Sequence, residues 1–592
     1  MDRRPLYIGG GGGAFFGWIH EDPLAGARDT VAVICAPGGY EYTRAHRTLR
    51  HLADRLARAG IPALRFDYHG TGNSAGDDFD PDRVATWIAN IRDACREARA
   101  ATGRDRLCLV GVRLGATLAA LASREMPVDD LVLWNPCVSG RNYVREMQAI
   151  AMSVEGAEER AEGFLETAGY VSTAETLEAL RRIDLKRTPP AASRVLVVSR
   201  DDAAPPTAFC EAMAAANLPV QAMRFGGWQD MMAEHLYTVV PEDALSKIVG
   251  WVGAGAMAED ARREAAEGRH EAQGARHEKM ALQLEAPSET GAVRLVEEAC
   301  TFGADDHLFG VVTRPEGEAK LPAIVMFNAG CVHHVGPNRL SVILARALGA
   351  AGFPSLRFDL EGIGDSIARG EGPENDPYPP SALDDARSAF AFLKERYGYR
   401  DFVALGLCSG AHTSFHAGLQ FEDESIGELI LINPLTFYWE EGFDKATQFE
   451  DAVAYRKSLR DGSRWRKLLR GDVNLRRLWE VAVGQVVARV KARADALKEI
   501  VAPHKASRLA RDLRRLAAMR RRMTLFVAES DPGREILMTS ARRATSQGLR
   551  NGRIRFEMIP QADHTFSQIK PRRDLVARLR AHLRQGTFTH GT

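Results

Sequence analysis

The sequence lacks three features that would point to particular classes of protein. No run of about 18 apolar residues is present, and the N-terminus lacks the continuous apolar stretch of a secretion signal. Only 8 of 592 residues are cysteine, without C-x-x-C pairs or nearby histidines, so neither a disulfide framework nor a zinc site is expected. The formal net charge is zero, because 78 Lys and Arg residues balance 78 Asp and Glu residues. We therefore expect a cytoplasmic protein with reduced thiols, no membrane span and no nucleic-acid partner.

What the sequence does contain is an internal repeat. Residues 61–74 (IPALRFDYHGTGNS) resemble 353–366 (FPSLRFDLEGIGDS), and 110–116 (VGVRLGA) resemble 405–411 (LGLCSGA). The repeated residues recur at an offset of 292 positions: Arg65, Asp67, Gly70, Gly72 and Ser74 as Arg357, Asp359, Gly362, Gly364 and Ser366. Since a chain of 592 residues is too long for one hydrophobic core, the repeat predicts a tandem duplication.

Each copy reads as an α/β domain. Short apolar runs at 31–37 and 323–330 are bounded by turn residues, which is typical of strands buried on both faces of a parallel sheet. A helical segment and then the L-R-F-D strand follow each run. The alternation of strand and helix predicts two tandem domains, each a mostly parallel sheet flanked by helices.

The composition sets the expected domain boundaries. Residues 253–292 are rich in Ala, Glu, Arg and Gly with few large apolar side chains, so they are predicted to be a linker. The domains then span 1–252 and 293–592. The second domain carries a basic insertion with helical periodicity, at about 436–522, which is predicted to be a helical lid.

A nucleophile is predicted where a strand turns sharply into a helix. Cys408 lies between Gly406 and Gly410, and G-x-nucleophile-x-G places an exposed side chain at the N-terminus of a helix. Two later strands end at Asp531 and just before His564, which gives the order nucleophile, acid, histidine. Each of these residues alone could be a helix cap or a loop histidine, and Glu529 and Asp563 are the alternatives for the acid. Together they predict a Cys-His-Asp catalytic triad.

Backbone amides beside the cysteine are candidates for an oxyanion hole. The amide of Ser409 is expected to act with that of Ala329 or Gly330, from the loop after the first buried strand. His333 and His334 follow in the same loop, and at most one of them is expected to face the pocket. His412 and His416 lie one helical turn apart, but without a third ligand no metal is expected.

These motifs resemble those of the α/β-hydrolase superfamily across nearly the whole chain except the linker and the insertion. The second half, with GCVHHVGPNR, LRFDLEGIGDS and GLCSGA, resembles exosortase A system-associated hydrolase 1. The first half, with LRFDYHGTGNS and GVRLGATLA, resembles hydrolase 2 of the same system. In that family too, an arginine tends to occupy the nucleophile position of the strand-to-helix turn, which is called the elbow. The resemblance implies a role in surface-polysaccharide or secondary-metabolite assembly.

The first copy departs from the catalytic pattern. Arg113 replaces the nucleophile, and Asp230 lies where the second copy has His564, although Asp201 or Asp202 still fits the acid position. Arg113 stays protonated and cannot act as a nucleophile. The first domain is therefore expected to be non-catalytic, with Arg113 either in an internal ion pair, for which Asp230 is a candidate, or free to bind a carboxylate or phosphate.

The expected function is acyl chemistry at Cys408. Hydrolysis of an ester or thioester is the first hypothesis, acyl transfer through an acyl-cysteine the second, and a non-catalytic interaction protein the third. The substrate is expected to be a small acyl compound without any cofactor. The arginines of the insertion allow docking of an acyl carrier protein or a coenzyme A thioester, although a charge run is more often a solvated face: Arg464, Arg466, Lys467, Arg470, Arg476, Arg477, Arg508, Arg511, Arg514, Arg515, Arg520, Arg521 and Arg522.

Overall fold

The computed structural model describes residues 1–153, 163–264, 280–288, 291–317, 321–370, 372–439, 506–529 and 531–586. Within these residues the chain forms two α/β domains in sequence, as the repeat predicts. In each domain the buried strands are the short apolar runs, because a strand covered by helices on both faces has no polar side to present to water.

The first domain is built on one large sheet. Its elements are β1 (Asp2–Ile8), β2 (Phe15–Glu21), β3 (Thr30–Cys35), α1 (Tyr40–Arg58), β4 (Ala63–Phe66), α2 (Arg83–Thr102), β5 (Arg106–Val112), α3 (Leu114–Ala122), β6 (Asp130–Trp134), α4 (Gly140–Ser153), β7 (Phe164–Thr167), β8 (Tyr170–Thr173), α5 (Ala174–Arg181), β9 (Arg194–Arg200), α6 (Thr207–Ala215), β10 (Val220–Phe225), α7 (Trp228–Met231) and α8 (Glu242–Glu264). The sheet order is β1-β2-β4-β3-β5-β6-β9-β10, and β7 pairs with β8 in a separate hairpin. The pairs β1/β2 and β2/β4 are antiparallel and the others in the large sheet are parallel.

The second domain repeats this plan. Its elements are β11 (Ala281–Ser288), β12 (Gly291–Phe302), β13 (Leu308–Pro315), β14 (Ala323–Phe327), α9 (Leu340–Gly349), β15 (Ser355–Phe358), α10 (Ala382–Tyr397), β16 (Asp401–Leu407), α11 (Ser409–Gln420), β17 (Ser425–Ile432), α12 (Arg508–Ala518), β18 (Arg522–Ala528), α13 (Gly533–Ser540), α14 (Arg542–Arg550), β19 (Ile554–Ile559) and α15 (Ile569–Gln585). The sheet order is β11-β12-β13-β15-β14-β16-β17-β18-β19, parallel from β15 onward. The parallel strands bring the loops at their carboxyl ends, including those after β14, β16 and β18, to one edge of the sheet.

Both ends of the predicted linker belong to the domains. Helix α8 continues to Glu264 and buries Val252 and Ala256 in the first core, while β11 is the edge strand of the second sheet. The low content of large apolar residues in 253–292 does not prevent this, because Ala256 packs closely and Leu282 is buried between the domains. Residues 265–279 lie outside the described part of the chain.

The two domains pack against each other through the repeated motif itself. The guanidinium of Arg65 donates to the carboxylate of Asp365, and Arg357 donates to Asn73 Oδ1 at 3.1 Å. Arg65 corresponds to Arg357 in the repeat, and Asn73 corresponds to Asp365. Each copy therefore uses the same positions to contact the other, as the two subunits of a symmetric dimer do.

Aromatic rings complete this interface. The ring centroid of Phe309 lies 4.5 Å from that of Trp18 and 6.0 Å from that of Phe16. The three rings belong to a buried apolar cluster drawn from both domains, which also contains Leu282 and Val311. Since this surface is buried only when the domains are paired, neither domain presents a water-soluble face here on its own.

Stability of the interface depends on the buried pair of Arg65 and Asp365. Burial alone would raise the pKa of Asp365, but Arg65 and His46 hold it well below its usual range. Arg65→Ala leaves that carboxylate without its main counter-charge, and we expect the free energy of unfolding to fall by about 3–5 kcal/mol. Urea denaturation followed by tryptophan fluorescence measures the change, because Trp18 lies beside Arg65.

The matched control for Arg65→Ala is Arg92→Ala, which removes an exposed pair with Glu125 in the same domain. Exposed pairs contribute little, so the control should unfold at the urea concentration of the parent protein. Equal midpoints for Arg65→Ala and Arg92→Ala would show that the interface does not depend on this ion pair.

Candidate active site

Cys408 lies at a strained turn between β16 and α11. Its backbone has φ 58° and ψ −116°, a conformation that is costly for a residue with a side chain and is found where function requires it. The flanking glycines have no room for a Cβ atom: one on Gly406 would lie 2.1 Å from the backbone of Gly410, and one on Gly410 would lie 2.6 Å from the carbonyl oxygen of Asn328. The turn therefore requires glycine at both positions, as the G-x-C-x-G pattern predicts.

The structure brings His564 and Asp531 together near this turn. Asp531 follows β18 and His564 lies in the loop after β19, and the Nδ1 atom of His564 donates to Asp531 Oδ2 at 2.7 Å. Of the two alternatives for the acid, Asp563 accepts hydrogen bonds from Ser567 and Glu529 is exposed. Asp531 is thus the carboxylate that orients the histidine.

The pKa of His564 depends on the neighbouring Cys408. Burial alone would lower the pKa of His564, but the charge and hydrogen bond of Cys408, together with the hydrogen bond to Asp531, raise the pKa to about 10. An imidazole with this pKa remains protonated at neutral pH and stabilises a neighbouring thiolate. His564 is therefore suited to support a thiolate at Cys408.

Asn433 holds two of the catalytic loops in place, a role that the sequence analysis did not assign. Its Nδ2 donates to the carbonyl of His564 at 2.8 Å, and its Oδ1 accepts from the amide of Ala528 at 2.7 Å. The residue has φ 44°, and Asn135 repeats this conformation in the first domain with φ 49°. The Asn-Pro step that both copies share was the sequence signal for this position.

The predicted oxyanion donors are not equivalent. The amide of Gly330 donates to Ser409 Oγ at 2.8 Å, which favours Ala329 of the two alternatives for the second donor. Ser409 provides the competing acceptor because its side chain points back to the loop after β14. The amides of Ala329 and Ser409 remain as the candidate pair.

An aromatic wall beside Cys408 was also absent from the sequence analysis. Tyr378 stacks on Trp439 with ring centroids 4.3 Å apart and an interplanar angle of 14°, and it meets His412 edge-on at 5.2 Å. Burial raises the pKa of Tyr378, with a further contribution from the nearby charge of Cys408. These aromatic residues come from segments far apart in the chain, so no local motif identifies them.

The other predicted histidines lie elsewhere. His334 Nδ1 donates to Asp359 at 2.7 Å, and His333 stacks on His46 of the first domain at 4.1 Å. Both belong to the domain interface, which is compatible with the expectation that at most one of them faces the pocket. His416 Nε2 donates to the carbonyl of Phe437 at 2.8 Å.

The first domain has the same elbow with a different side chain. Arg113 has φ 53° and ψ −118°, nearly the values at Cys408. Its Nε donates to Glu41 at 2.9 Å, and its Nη2 donates to both carboxylate oxygens of Glu146 at 2.7 and 2.8 Å. Arg113 therefore forms an ion pair within the protein, which was one of the two expectations for this residue. Its partners are Glu41 and Glu146, not Asp230. Asp201 and Asp230 are both exposed.

The described part of the predicted lid belongs to the domain body. Residues 440–505, with the arginines from 464 to 477, lie outside the described residues. Helix α12 buries Leu509, Leu513 and Leu516 in the core. Arg521 donates to the carbonyls of Gly418, Phe421 and Glu424 at the end of α11 remote from Cys408, whereas Arg508 lies over the ring of Tyr438.

Comparison with known proteins agrees with this geometry. Residues 29–161 match the family model described as serine aminopeptidase, S33, and residues 327–578 match that of the alpha/beta hydrolase family. The chain is a tandem α/β-hydrolase. No curated protein matches this hydrolase as a sequence relative. No helix among its described residues is long and apolar enough to cross a membrane.

Solved structures similar to the tandem hydrolase include three bacterial enzymes of single-domain length. Est1E from Butyrivibrio proteoclasticus, with ferulic acid bound, is 16% identical, with 44% of this chain and 100% of that chain covered and a TM-score of 0.33. A serine hydrolase without a lid from Xanthomonas campestris is 15% identical (45% and 98% covered, TM-score 0.28). Proline iminopeptidase from Mycobacterium smegmatis is 14% identical (44% and 100% covered, TM-score 0.32).

The raised pKa of His564 predicts how Cys408 reacts with iodoacetamide as the pH changes. A pKa raised above the ordinary value keeps the imidazolium present from acid pH up to about pH 10, so its support of the thiolate is lost only above that range. We expect the alkylation rate of Cys408 to be nearly constant between about pH 7 and 9. In His564→Ala the rate should be lower at pH 7 and rise with pH, as for a free thiol with a pKa of about 8.5.

Mass spectrometry of the labelled peptide measures these rates, and Cys331 provides the internal control. Burial raises the pKa of the Cys331 thiol to about 12, so it should label slowly in both proteins. A parent profile that rises with pH like that of His564→Ala would rule out the thiolate–imidazolium pair.

Proposed function

We propose that the second domain hydrolyses an ester or thioester through a covalent acyl intermediate on Cys408. The observation that carries this proposal is the arrangement of Cys408 at a strained elbow, with the Asp531-oriented His564 close enough for its pKa to rise. Because Arg113 shares the strained backbone, the distinguishing feature is the oriented imidazole, which a structural cysteine does not need. The three residues together fit nucleophile, general base and orienting acid.

The reaction follows from this arrangement. The Cys408 thiolate attacks the substrate carbonyl carbon, and the carbonyl electron pair moves onto oxygen, to which the amides of Ala329 and Ser409 would donate. The intermediate collapses as the leaving alkoxide or thiolate takes the proton of His564. Water then attacks the acyl-cysteine, gives a proton to His564, and releases the acid and the Cys408 thiolate.

The proposed substrate is a small acyl compound rather than a carrier-bound one. The case for an acyl carrier protein or a coenzyme A thioester depends on the basic insertion. In its described part Arg515 and Arg522 pair with Glu422 and Glu428, and Arg521 donates to the carbonyl of Gly418. The wall formed by Tyr378 and Trp439 suits an apolar or aromatic acyl group. The motif resemblance to the exosortase-associated hydrolases would place that substrate in polysaccharide or secondary-metabolite assembly.

The first domain is proposed to be non-catalytic. Its elbow carries Arg113, whose two charged partners, Glu41 and Glu146, belong to the same domain. Burial raises the pKa of the Glu41 carboxyl despite the neighbouring arginine. A guanidinium held by two carboxylates has little capacity left for an anionic ligand. We therefore assign this domain the role of supporting the second one through the interface.

The proposed nucleophile is tested by comparing two cysteine variants. Cys408→Ala should reduce kcat for a p-nitrophenyl ester at least 1,000-fold, because the nucleophile is lost. Cys331→Ala removes a neighbouring thiol that hydrogen-bonds to the carbonyl of Asn375. It should keep kcat within about threefold of the parent, since the amide of Asn375 still donates to Gly362 and its side chain to the carbonyl of His235.

Intact-protein mass spectrometry after exposure to activated esters and acyl thioesters identifies the chemistry directly. The parent should gain one acyl group that Cys408→Ala does not gain. Faster loss of this adduct when an alcohol or amine is added would assign acyl transfer instead of hydrolysis. If no reagent acylates the parent, the protein is a non-catalytic interaction protein.

A further inference from the structure

Three side chains with metal-ligand chemistry meet in the second domain, away from the triad. They are His307, just before β13, Glu361, in the loop after β15, and Asp385, in the first turn of α10. One ligand atom from each lies within 4.8 Å of the others. None of the three belongs to the active site, and the sequence analysis assigned no role to any of them.

His307 is the side chain that indicates a ligand. It is 5% exposed, and its Nδ1 is 2.7 Å from the carbonyl oxygen of Ala304, which makes Nδ1 the protonated nitrogen and leaves the lone pair on Nε2. Among the described residues, Nε2 has no hydrogen-bond partner, although it is buried. A buried nitrogen without a partner is costly, so an additional group at this point would relieve that cost.

The position of Asp385 fits a metal ion as that group. Its Oδ1 lies 3.6 Å from His307 Nε2, too far for a hydrogen bond. Two ligands at about 2.1 Å from a tetrahedral metal ion are separated by about 3.4 Å, which is close to the observed distance. The two facing atoms are therefore spaced as ligands of one ion.

The two carboxyl groups of the cluster are held in place by hydrogen bonds. Asp385 is 1% exposed, and its Oδ2 accepts the amide of Glu361 at 2.8 Å and the hydroxyl of Ser381 at 3.3 Å. Glu361 accepts the backbone amide and the guanidinium of Arg369 at 2.7 and 2.8 Å. Two carboxyl groups thus lie beside Nε2 of His307, and both are groups that bind divalent cations.

We propose that His307, Glu361 and Asp385 bind a divalent transition-metal ion. One imidazole and two carboxylates form a nitrogen and oxygen ligand set suited to zinc, cobalt or manganese. A bound ion would join β13, the loop after β15 and α10. Ser381 of the same cluster lies three residues after Tyr378, so the ion would also steady the loop that carries the aromatic wall.

The first domain provides an internal comparison. The amide of His69 donates to Asn90 Oδ1 as that of Glu361 donates to Asp385, and the carbonyls of Ala14 and His307 accept corresponding amides. At the three ligand positions the first copy thus has Ala14, His69 and Asn90. Two ligands are missing from it, so the site is specific to the second domain.

These equivalences supply the variants for the test. His307→Ala and Asp385→Asn each install the residue that the first copy already has, and the Oδ1 of an asparagine at 385 can still accept the amide of Glu361. Asp384→Asn is the control, because Asp384 is the exposed neighbour on the same helix. Co²⁺ is the probe, since its visible absorption reports the ligands and a thiolate ligand adds a strong near-ultraviolet band.

We expect the metal-free full-length parent and Asp384→Asn to bind one Co²⁺ per chain without the thiolate band and to melt at a higher temperature with Co²⁺ than without it. His307→Ala and Asp385→Asn should bind at least tenfold more weakly and lose the rise in melting temperature. If Asp385→Asn does not fold, His307→Ala decides the question. Binding equal to the parent in His307→Ala, or no binding by the parent, would show that His307 and Asp385 are only a buried pair.

Discussion

The buried carboxylate of Asp359 is the point on which both the domain interface and the catalytic loop depend. Asp359 is 0% exposed and accepts four hydrogen bonds: from Asn328 Nδ2 at 2.9 Å, from the amide and ring of His334 at 2.5 and 2.7 Å, and from the amide of Asp365 at 2.9 Å. A buried charge is tolerated only when donors surround it. These donors position the loop that precedes the candidate oxyanion amides, and also the Asp365 carboxylate that binds the first domain.

The duplication has preserved backbone geometry more strictly than chemistry. Arg113 and Cys408 share a strained conformation, as do Asn135 and Asn433. This conformation is imposed by the glycines and the sheet around it: a Cβ on Gly115 would lie 2.2 Å from the carbonyl oxygen of Cys35, much as at Gly410. The side chain at the centre of the elbow was free to change because it points away from those contacts. The same scaffold therefore holds an ion-paired arginine in one domain and the proposed nucleophile in the other.

The sequence was sufficient for features that depend on local pattern. Apolar runs predicted the buried strands, glycine spacing predicted the turn at Cys408, and strand order located Asp531 and His564. It was insufficient where a residue's surroundings come from distant segments. The histidines at 333 and 334 follow the right strand for a pocket, but the first domain covers them, and the sequence of one copy carries no information about that contact. The partners of Arg113 lie on α1 and α4, far from it in the sequence. Likewise, the pattern of basic residues at 508–522 did not reveal which end of α11 these residues would contact.

The contacts between the copies explain why a domain without a nucleophile is retained. The ring of His333 lies between His46 and Tyr42 of the first domain, and Asn73 of that domain contacts His334, so the catalytic loop after β14 is supported from outside its own domain. Arg339, just before α9, donates to the carbonyls of Gly70, Gly72 and Gly76. Removal of the first domain would leave buried donors without acceptors and expose the rings around Phe309. Both changes would destabilise the loop that contains Asn328 and Ala329. The first domain thus contributes to the geometry of a site that contains none of its residues.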